Sequence, residues 1–406
     1  MPDFFYNIPA FVVVLGVLII VHELGHFLAA KMVGVGVIKF AVGFGPALFK
    51  RKFGETTYQL SLIPLGGYVR MLGDVPDAIT GPQETDEEVR AALVEGTERS
   101  RWFIDKGLLA KSWIVFAGPL FNFLLAIALA AFVVFIYGEP DLNSAPVVGK
   151  VISGSPAERA GLLEHDLIVS VNGVSPESWK SFAKMVHGSE GRELQVVIKR
   201  GATEINTSLV PDLKVIPGAE AEQSKVYLVG LMPEISRSPV GVGQSLYVGV
   251  VWTATISVDM LTQLGSMIAR ERSADELAGP VFIFQAAGEQ ARKGLEDFLS
   301  FIALLSVSLA VLNLLPVPVL DGGHLFFFLL EGIFGPISVR KKESAQQVGM
   351  VLLLSLMCFA VWNDITRDPD KFSTQPRWEE KTEKEEGAAN QRVEEDLAPA
   401  VVGQDS

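Results

Sequence analysis

Residues 19–31 read IIVHELGHFLAAK and set His22 and His26 four positions apart, with Glu23 between them, at the end of an apolar run. On a helix, positions four apart share one face, a turn from each other. Both imidazoles can then reach one tetrahedral cation such as Zn²⁺. Glu23 can serve as general base on a water at the open coordination position. Ionisable groups inside an apolar span cost about 2.5–3.5 kcal/mol each on insertion scales and are there for function by default. A catalytic zinc needs a third protein ligand. Of the other histidines, His165 and His187 fall in a soluble stretch, and His324 closes NLLPVPVLDGGH at 313–324. There Pro316 and Pro318 must break an apolar helix. A broken helix frees backbone to bend a carboxylate into a cavity. Asp321 is therefore the expected third ligand and His324 the alternative. Without HELGH, Asp321 would read as a turn residue in a D-G-G loop.

These residues need apolar elements to hold them. Of the 406 residues 49% are hydrophobic and 20% charged, with a mean hydropathy of +0.34. Soluble chains carry about one quarter charged residues, so this composition belongs to the membrane class. The net charge of −13 argues against a nucleic-acid partner. Cys358 is the one cysteine, so no intrachain disulfide forms. The N-terminus lacks the basic start of a signal peptide, and the first apolar run is expected to be retained.

A spanning helix needs about 20 apolar residues. Residues 8–29, 113–137, 298–319 and 346–362 meet or approach that length. Residues 240–268 are ambiguous, because Gln244, Asp259 and Gln263 suit a helix lying at the interface. Spans one and three both end in ligand motifs, so they must run parallel, with an odd number of crossings between them. Residues 113–137 supply one, and 240–268 should not cross. The segments 31–112 and 340–342 are rich in Lys and Arg, whereas Asp3, Glu139 and Asp141 mark the opposite side. By the positive-inside rule, the HELGH lies near the cytoplasmic leaflet and both termini face outwards.

The stretch 36–69 alternates towards strands and carries Gly43, Gly45, Gly66 and Gly67. It reads as hairpins dipping to the membrane surface, able to pair with an extended substrate by β-addition, or else as a cytoplasmic structural hairpin. Asn122 and Asn313, the polar residues of spans two and three, can hydrogen-bond substrate backbone or a neighbouring helix. Residues 145–212 read as a separate domain, in which SPAERAGL is a capped helix and DLIVSVNG a strand ending in an Asn-Gly turn. This segment resembles a bacterial PDZ domain, with PVVG at 146–149 as its peptide-terminus loop. His165 and His187 are expected on its surface. Residues 75–99 are acidic and expected to form a loop. The tail at 365–406 is charged, poor in aromatics and expected to be disordered.

The pairing of HELGH in the first span with NLLPVPVLDGG in a later one resembles the site-2 protease family of intramembrane zinc metalloproteases. GFGPAL at 43–48, IPLGGYVRM at 63–71, AGPLFNFLLA at 117–126 and the GP-V-F-I run at 279–283 extend the likeness to about residue 366. The resemblance implies His22, His26 and Asp321 as zinc ligands and Glu23 as catalytic acid/base. It also implies a PDZ domain that screens substrates already trimmed outside the membrane. One PDZ module fits here, where the best-known members have two. The expected architecture is a polytopic α-helical membrane protein with four transmembrane helices, membrane-associated β-hairpins and an inserted extracytoplasmic PDZ domain. Its segments are span one (1–30), the β region and acidic loop (31–112), span two (113–137), the PDZ domain (145–212), a linker with an interfacial helix (213–297), span three with the LDG motif (298–335), span four (346–364) and the tail (365–406). The expected activity is cleavage of transmembrane segments of single-span proteins in the bacterial inner membrane. An anti-sigma factor and remnant signal peptides are the expected substrates. The expected partners are that substrate, membrane lipid and peptide termini at the PDZ groove. An inactive PDZ adaptor and a zinc transporter are the alternatives.

Overall fold

The computed structural model describes residues 2–73, 99–141, 144–215, 225–234, 236–269 and 279–366. The expected acidic loop and tail fall outside these residues, apart from Arg99 and positions 365–366. The described chain forms two compact units, one from residues up to 138 and from 239 to 366, the other from 139 to 238.

The first unit is a helical bundle. Helix α1 (Pro2–Met32) and helix α2 (Leu108–Tyr137) run antiparallel. Ala29 and Ala30 of α1 pack with Ile114 and Ala117, whereas Ala10, Val14 and Leu18 pack with Leu125 and Leu129. The helices touch backbone to backbone at Gly25, where a Cβ would lie 2.3 Å from Ala117 O. Small residues permit that approach.

Between α1 and α2 the chain makes β1 (Val37–Phe53) and β2 (Thr56–Met71). They pair antiparallel as a hairpin from Phe53 and Thr56 inwards, and both fold back on themselves. Residues 39–42 pair with 67–70 on one side and with 57–60 on the other. The fold-back bends need left-handed backbone, supplied by Gly43 and Gly45 at φ 84° and Gly66 at φ 124°. Glu55, in the hairpin turn, forms ion pairs with Lys31 at the end of α1 and with Arg101.

After the second unit come α5 (Val242–Ile268), α6 (Pro280–Lys293), α7 (Leu295–Leu314), α8 (Asp321–Phe334) and α9 (Val339–Thr366). Among the described residues five helices, α1, α2, α5, α7 and α9, are long and apolar enough to cross a membrane. Helix α7 runs parallel to α1, with Ile302 packed among Ala10, Val14 and Leu18. Helix α5 covers the stretch expected to be an interfacial helix, and it is long and apolar enough to cross a membrane. It lies alongside α2 in the opposite direction, with a Cβ at Gly249 only 2.7 Å from Ile127 O, and Trp252, Ile256 and Met260 pack around Ala126 and Val307. Its buried stripe is Ser245, Gly249 and Thr253, small residues four apart that favour close helix packing. Gln244, Asp259 and Gln263 face away from that stripe and are exposed. Asp364, in the last turn of α9, accepts from the N–H groups of Gly279, Val281 and Phe282, each at 3.0 Å, and so caps α6.

The second unit contains β3 (Glu139–Asp141), β4 (Val148–Val151), α3 (Pro156–Arg159), β5 (Leu167–Val171), α4 (Trp179–His187), β6 (Leu194–Arg200), β7 (Thr203–Leu209), β8 (Asp212–Val215), β9 (Lys225–Leu228), β10 (Leu231–Pro233) and β11 (Ser236–Ser238). Strands β5, β6 and β7 form one sheet; β4 pairs with β10, β8 with β9, and β3 with β11. The expected boundary at 212 is too early. Val229 belongs to the same buried core as Val148, Phe182 and Ile198, so residues 225–234 are part of the fold and not a linker. These late strands are three or four residues long, and β10 and β11 pair far back along the chain with β4 and β3, which local pattern does not reveal.

The expected peptide-terminus loop at 146–149 is likewise corrected. Its backbone is already engaged, with Val148 N–H donating to Asp166 O, Ile168 N–H to Pro146 O and Glu234 N–H to Val147 O. An apolar groove of about 250 Å³ opens elsewhere, between α4 (Trp179, Phe182, Val186) and residues 227–232. His187 lines it and His165 pairs with Glu234 on the surface.

Candidate metal centre

Helix α1 carries His22, Glu23 and His26 deep in the bundle. His26 Nδ1 lies 2.9 Å from Ile114 O. A carbonyl only accepts, so Nδ1 bears the proton and Nε2 keeps its lone pair. Pro119, one turn along α2, cannot donate to the helix, and it interrupts the ladder beside this contact.

The third element arrives through a turn. Helix α7 ends at Leu314, and Pro316 and Pro318 keep the chain from continuing as helix until Asp321. Gly322 and Gly323 let α8 fold tightly onto that turn, since a Cβ would meet Leu315 O and Val317 O, each at 2.2 Å. Asp321 is thereby swung inwards. Its Oδ2 lies 3.2 Å from His22 Nε2 and 3.5 Å from His26 Nε2. The two Nε2 atoms are 3.2 Å apart. Among the described residues these three side chains form the one group whose donor atoms all lie within 4.8 Å of one another, and His324 is not in it.

The donor set fits a cation. Asp321 Oδ2 is buried and has no hydrogen-bond partner. With the Nδ1 proton of His26 committed to Ile114, its Nε2 lone pair faces the Asp321 carboxylate oxygen at 3.5 Å. That arrangement is unfavourable unless positive charge lies between them. Two imidazoles and a carboxylate are the ligand types that suit zinc.

Glu23 is buried against β2, where a Cβ at Gly67 would come within 2.8 Å of its Cγ. It lies within electrostatic reach of His26, His22 and Asp321. Asn313 Nδ2 is 3.5 Å from His22 Nε2, on the donor side of the ring. Asn122 sits on the opposite edge, 3.2 Å from His22 Nδ1, and is fully buried. The expectation that Asn122 contacts substrate is corrected: the His22 ring stands between it and the converging donors. Gly43, Gly45 and Gly66 sit at the bends of the sheet, and only Gly67 touches the site.

Sequence reasoning missed Gly118. A Cβ there would lie 2.3 Å from His26 Nε2 and 2.8 Å from His22 Cε1, so α2 presses its bare backbone on both rings. The signal was the Gly118-Pro119 pair inside span two. Ser306 was also missed; its hydroxyl donates to Asn122 O at 2.7 Å and ties α7 to α2.

The chain matches the sequence profile described as Peptidase family M50 over residues 10–356. A protein of Rhizobium meliloti (strain 1021) is 36% identical over 369 residues, covering 89% of this chain and 96% of that one. Zinc metalloprotease RasP of Geobacillus kaustophilus (strain HTA426) is 30% identical over 422 residues, covering 89% and 98%. Regulator of sigma-W protease RasP of Bacillus subtilis (strain 168) is 29% identical over 427 residues, covering 90% and 99%.

Proposed function

Because the chain belongs to peptidase family M50 and is a membrane zinc metalloprotease, we propose that it cleaves peptide bonds within the transmembrane segments of single-span membrane proteins. The observation that carries this reading is where the donor cluster lies. His22, His26 and Asp321 converge among apolar helices, with Glu23 beside them and Gly67 of β2 packed against Glu23.

A bound zinc ion supplies Lewis acidity, polarising a carbonyl and acidifying water. His22 and His26 hold that charge on one face of α1, and Asp321 closes the site from the far side of the bundle. Glu23 takes the proton of the attacking water on its carboxylate and returns it to the leaving amine. Asn313, whose amide lies beside His22 Nε2, would hydrogen-bond a substrate carbonyl. A helical substrate hides its own amides and must first extend. Residues 67–70 pair with 39–42 along one edge. An extended segment adding to the other edge would run past Gly67 and Glu23, with Gly43, Gly45 and Gly66 shaping the sheet that receives it.

Helices α1 and α7 run in one direction, so an odd number of crossings separates them. Helix α2 is one, so on this reading α5 is not counted as a crossing, giving four crossings in all. The Lys and Arg bias puts the catalytic end near the cytoplasmic leaflet of a bacterial inner membrane and unit 139–238 outside, as a PDZ domain whose groove takes peptide termini of trimmed substrates. The name of the Bacillus subtilis relative, a regulator of sigma-W protease, favours an anti-sigma factor as substrate, with remnant signal peptides as a second class.

The test is Glu23→Gln in purified full-length protein, offered a single-span substrate and the same protein stripped of its apolar segment. The expected result is one zinc per chain, cleavage of the spanning substrate by the parent, and none by the variant. Undiminished cleavage by the variant removes the role given to Glu23. Preference for the stripped substrate removes the intramembrane assignment.

A further inference from the structure

Each imidazole at the site has two nitrogens, and the proton on one decides what the other can do. For His26 the carbonyl of Ile114 settles the matter. For His22 the partner of Nδ1 is the side-chain amide of Asn122, at 3.2 Å. An amide offers a donor at one end and an acceptor at the other, and the two ends are interchangeable by a half-turn. With Nδ2 turned towards the ring, Nδ1 would have to accept, the proton would move to Nε2, and the ring could not donate an electron pair into the cluster. That orientation also strands Asn122 Oδ1, which is buried without a hydrogen-bond partner. The half-turn places Oδ1 on Nδ1 and gives that oxygen its bond. The rest of Asn122 is fixed by its surroundings. It has no exposed surface, and its backbone carbonyl accepts from Ser306 on α7.

We propose that Asn122 is a positioning residue that accepts the Nδ1 proton of His22 and holds that ring with its Nε2 lone pair aimed at His26 Nε2 and Asp321 Oδ2. It acts through His22 and touches neither substrate nor reacting atoms. The inference rests on the metalloprotease reading only in supposing that the cluster takes a cation, and Ser306 makes α7 part of the same support. Outer partners of this kind change metal affinity by about 10–100-fold when removed.

Two measurements on full-length protein in detergent test this. In the first, zinc affinity is read by competition with a chelator for the parent, Asn122→Asp and Asn122→Leu. Aspartate keeps the acceptor at the same reach, whereas leucine keeps the bulk and loses it. The expected result is a 10–100-fold weaker affinity for the leucine variant and a parental or tighter one for the aspartate variant. Equal losses in both, or parental affinity in the leucine variant, overturn the proposal. The second needs no variant at Asn122 and no metal. The chain has five histidines, so ¹⁵N labelling of the imidazoles in metal-free protein gives a resolvable spectrum, with His22 assigned by the signal lost in His22→Gln. His22 should carry its proton on Nδ1, and a proton found on Nε2 refutes the assignment even if Asn122→Leu fails to fold. Because this readout is independent of cleavage, it separates failure of the inference from failure of the functional reading.

Discussion

One methyl group, added at either of two glycines, should disable the site in two different ways. At Gly118 the new Cβ would lie 2.3 Å from His26 Nε2 and 2.5 Å from His26 Cε1. Ordinary contact begins near 3.4 Å, so His26 would have to retreat by about 1.1 Å. It has little freedom to do so, being tied to Ile114 through Nδ1. Zinc sites tolerate ligand displacements of about 0.2 Å, so Gly118→Ala should lose the metal. At Gly67 the new Cβ would lie 2.8 Å from Glu23 Cγ and 2.9 Å from Ile19 Cγ2 and Ala41 O. The shortfall against Glu23 is about 0.6 Å. Catalytic groups tolerate about 0.5 Å, and a misplacement of about 1 Å can cost about 100-fold. Gly67→Ala should therefore keep zinc and lose about 10–100-fold in kcat. Zinc per chain by plasma mass spectrometry, alongside turnover of a single-span substrate, distinguishes the two. Full zinc occupancy at parental affinity in Gly118→Ala, or joint loss of zinc and activity in Gly67→Ala, would refute this account of the packing.

Other consequences follow from contacts away from the donors. Asp364→Ala removes a carboxylate that receives three α6 N–H groups and should cost about 1–2 kcal/mol, seen as a lower melting temperature with Asp364→Asn intermediate; equal melting of all three proteins refutes it. In unit 139–238, burial pushes the Asp166 carboxyl up, but the Arg200 fork and the Leu163 N–H outweigh it and hold it below the usual carboxylate range. A depressed carboxyl stabilises the fold above its unfolded pKa of about 3.9 and loses that contribution as pH falls towards the folded value. The urea midpoint of this unit should thus drop below pH 4 in the parent, with a flatter profile in Asp166→Asn, and identical profiles would contradict the assignment. Ala183→Arg, on the groove side of α4, should weaken binding of an extended apolar peptide at least tenfold without changing the melting temperature. Unchanged binding would move the peptide site elsewhere.

The sequence was most informative where structure is local. The spacing in HELGH puts two imidazoles on one helix face because a helix repeats every 3.6 residues. Pro316 and Pro318 end α7 wherever it packs, because proline has no N–H to give. The apolar runs mark helices because lipid leaves backbone few other ways to satisfy itself. It was least informative where elements meet. That Asp321 and not His324 faces the imidazoles depends on how residues 315–320 fold back over Gly322 and Gly323. The bare face of Gly118, the place of Asn122 behind His22, the line of α5 along α2 and the membership of residues 225–234 in the second unit all arise from contacts between positions tens to hundreds of residues apart. Periodicity and turn chemistry describe a chain against its near neighbours, whereas these features are settled by which surfaces fit when distant segments close on one another.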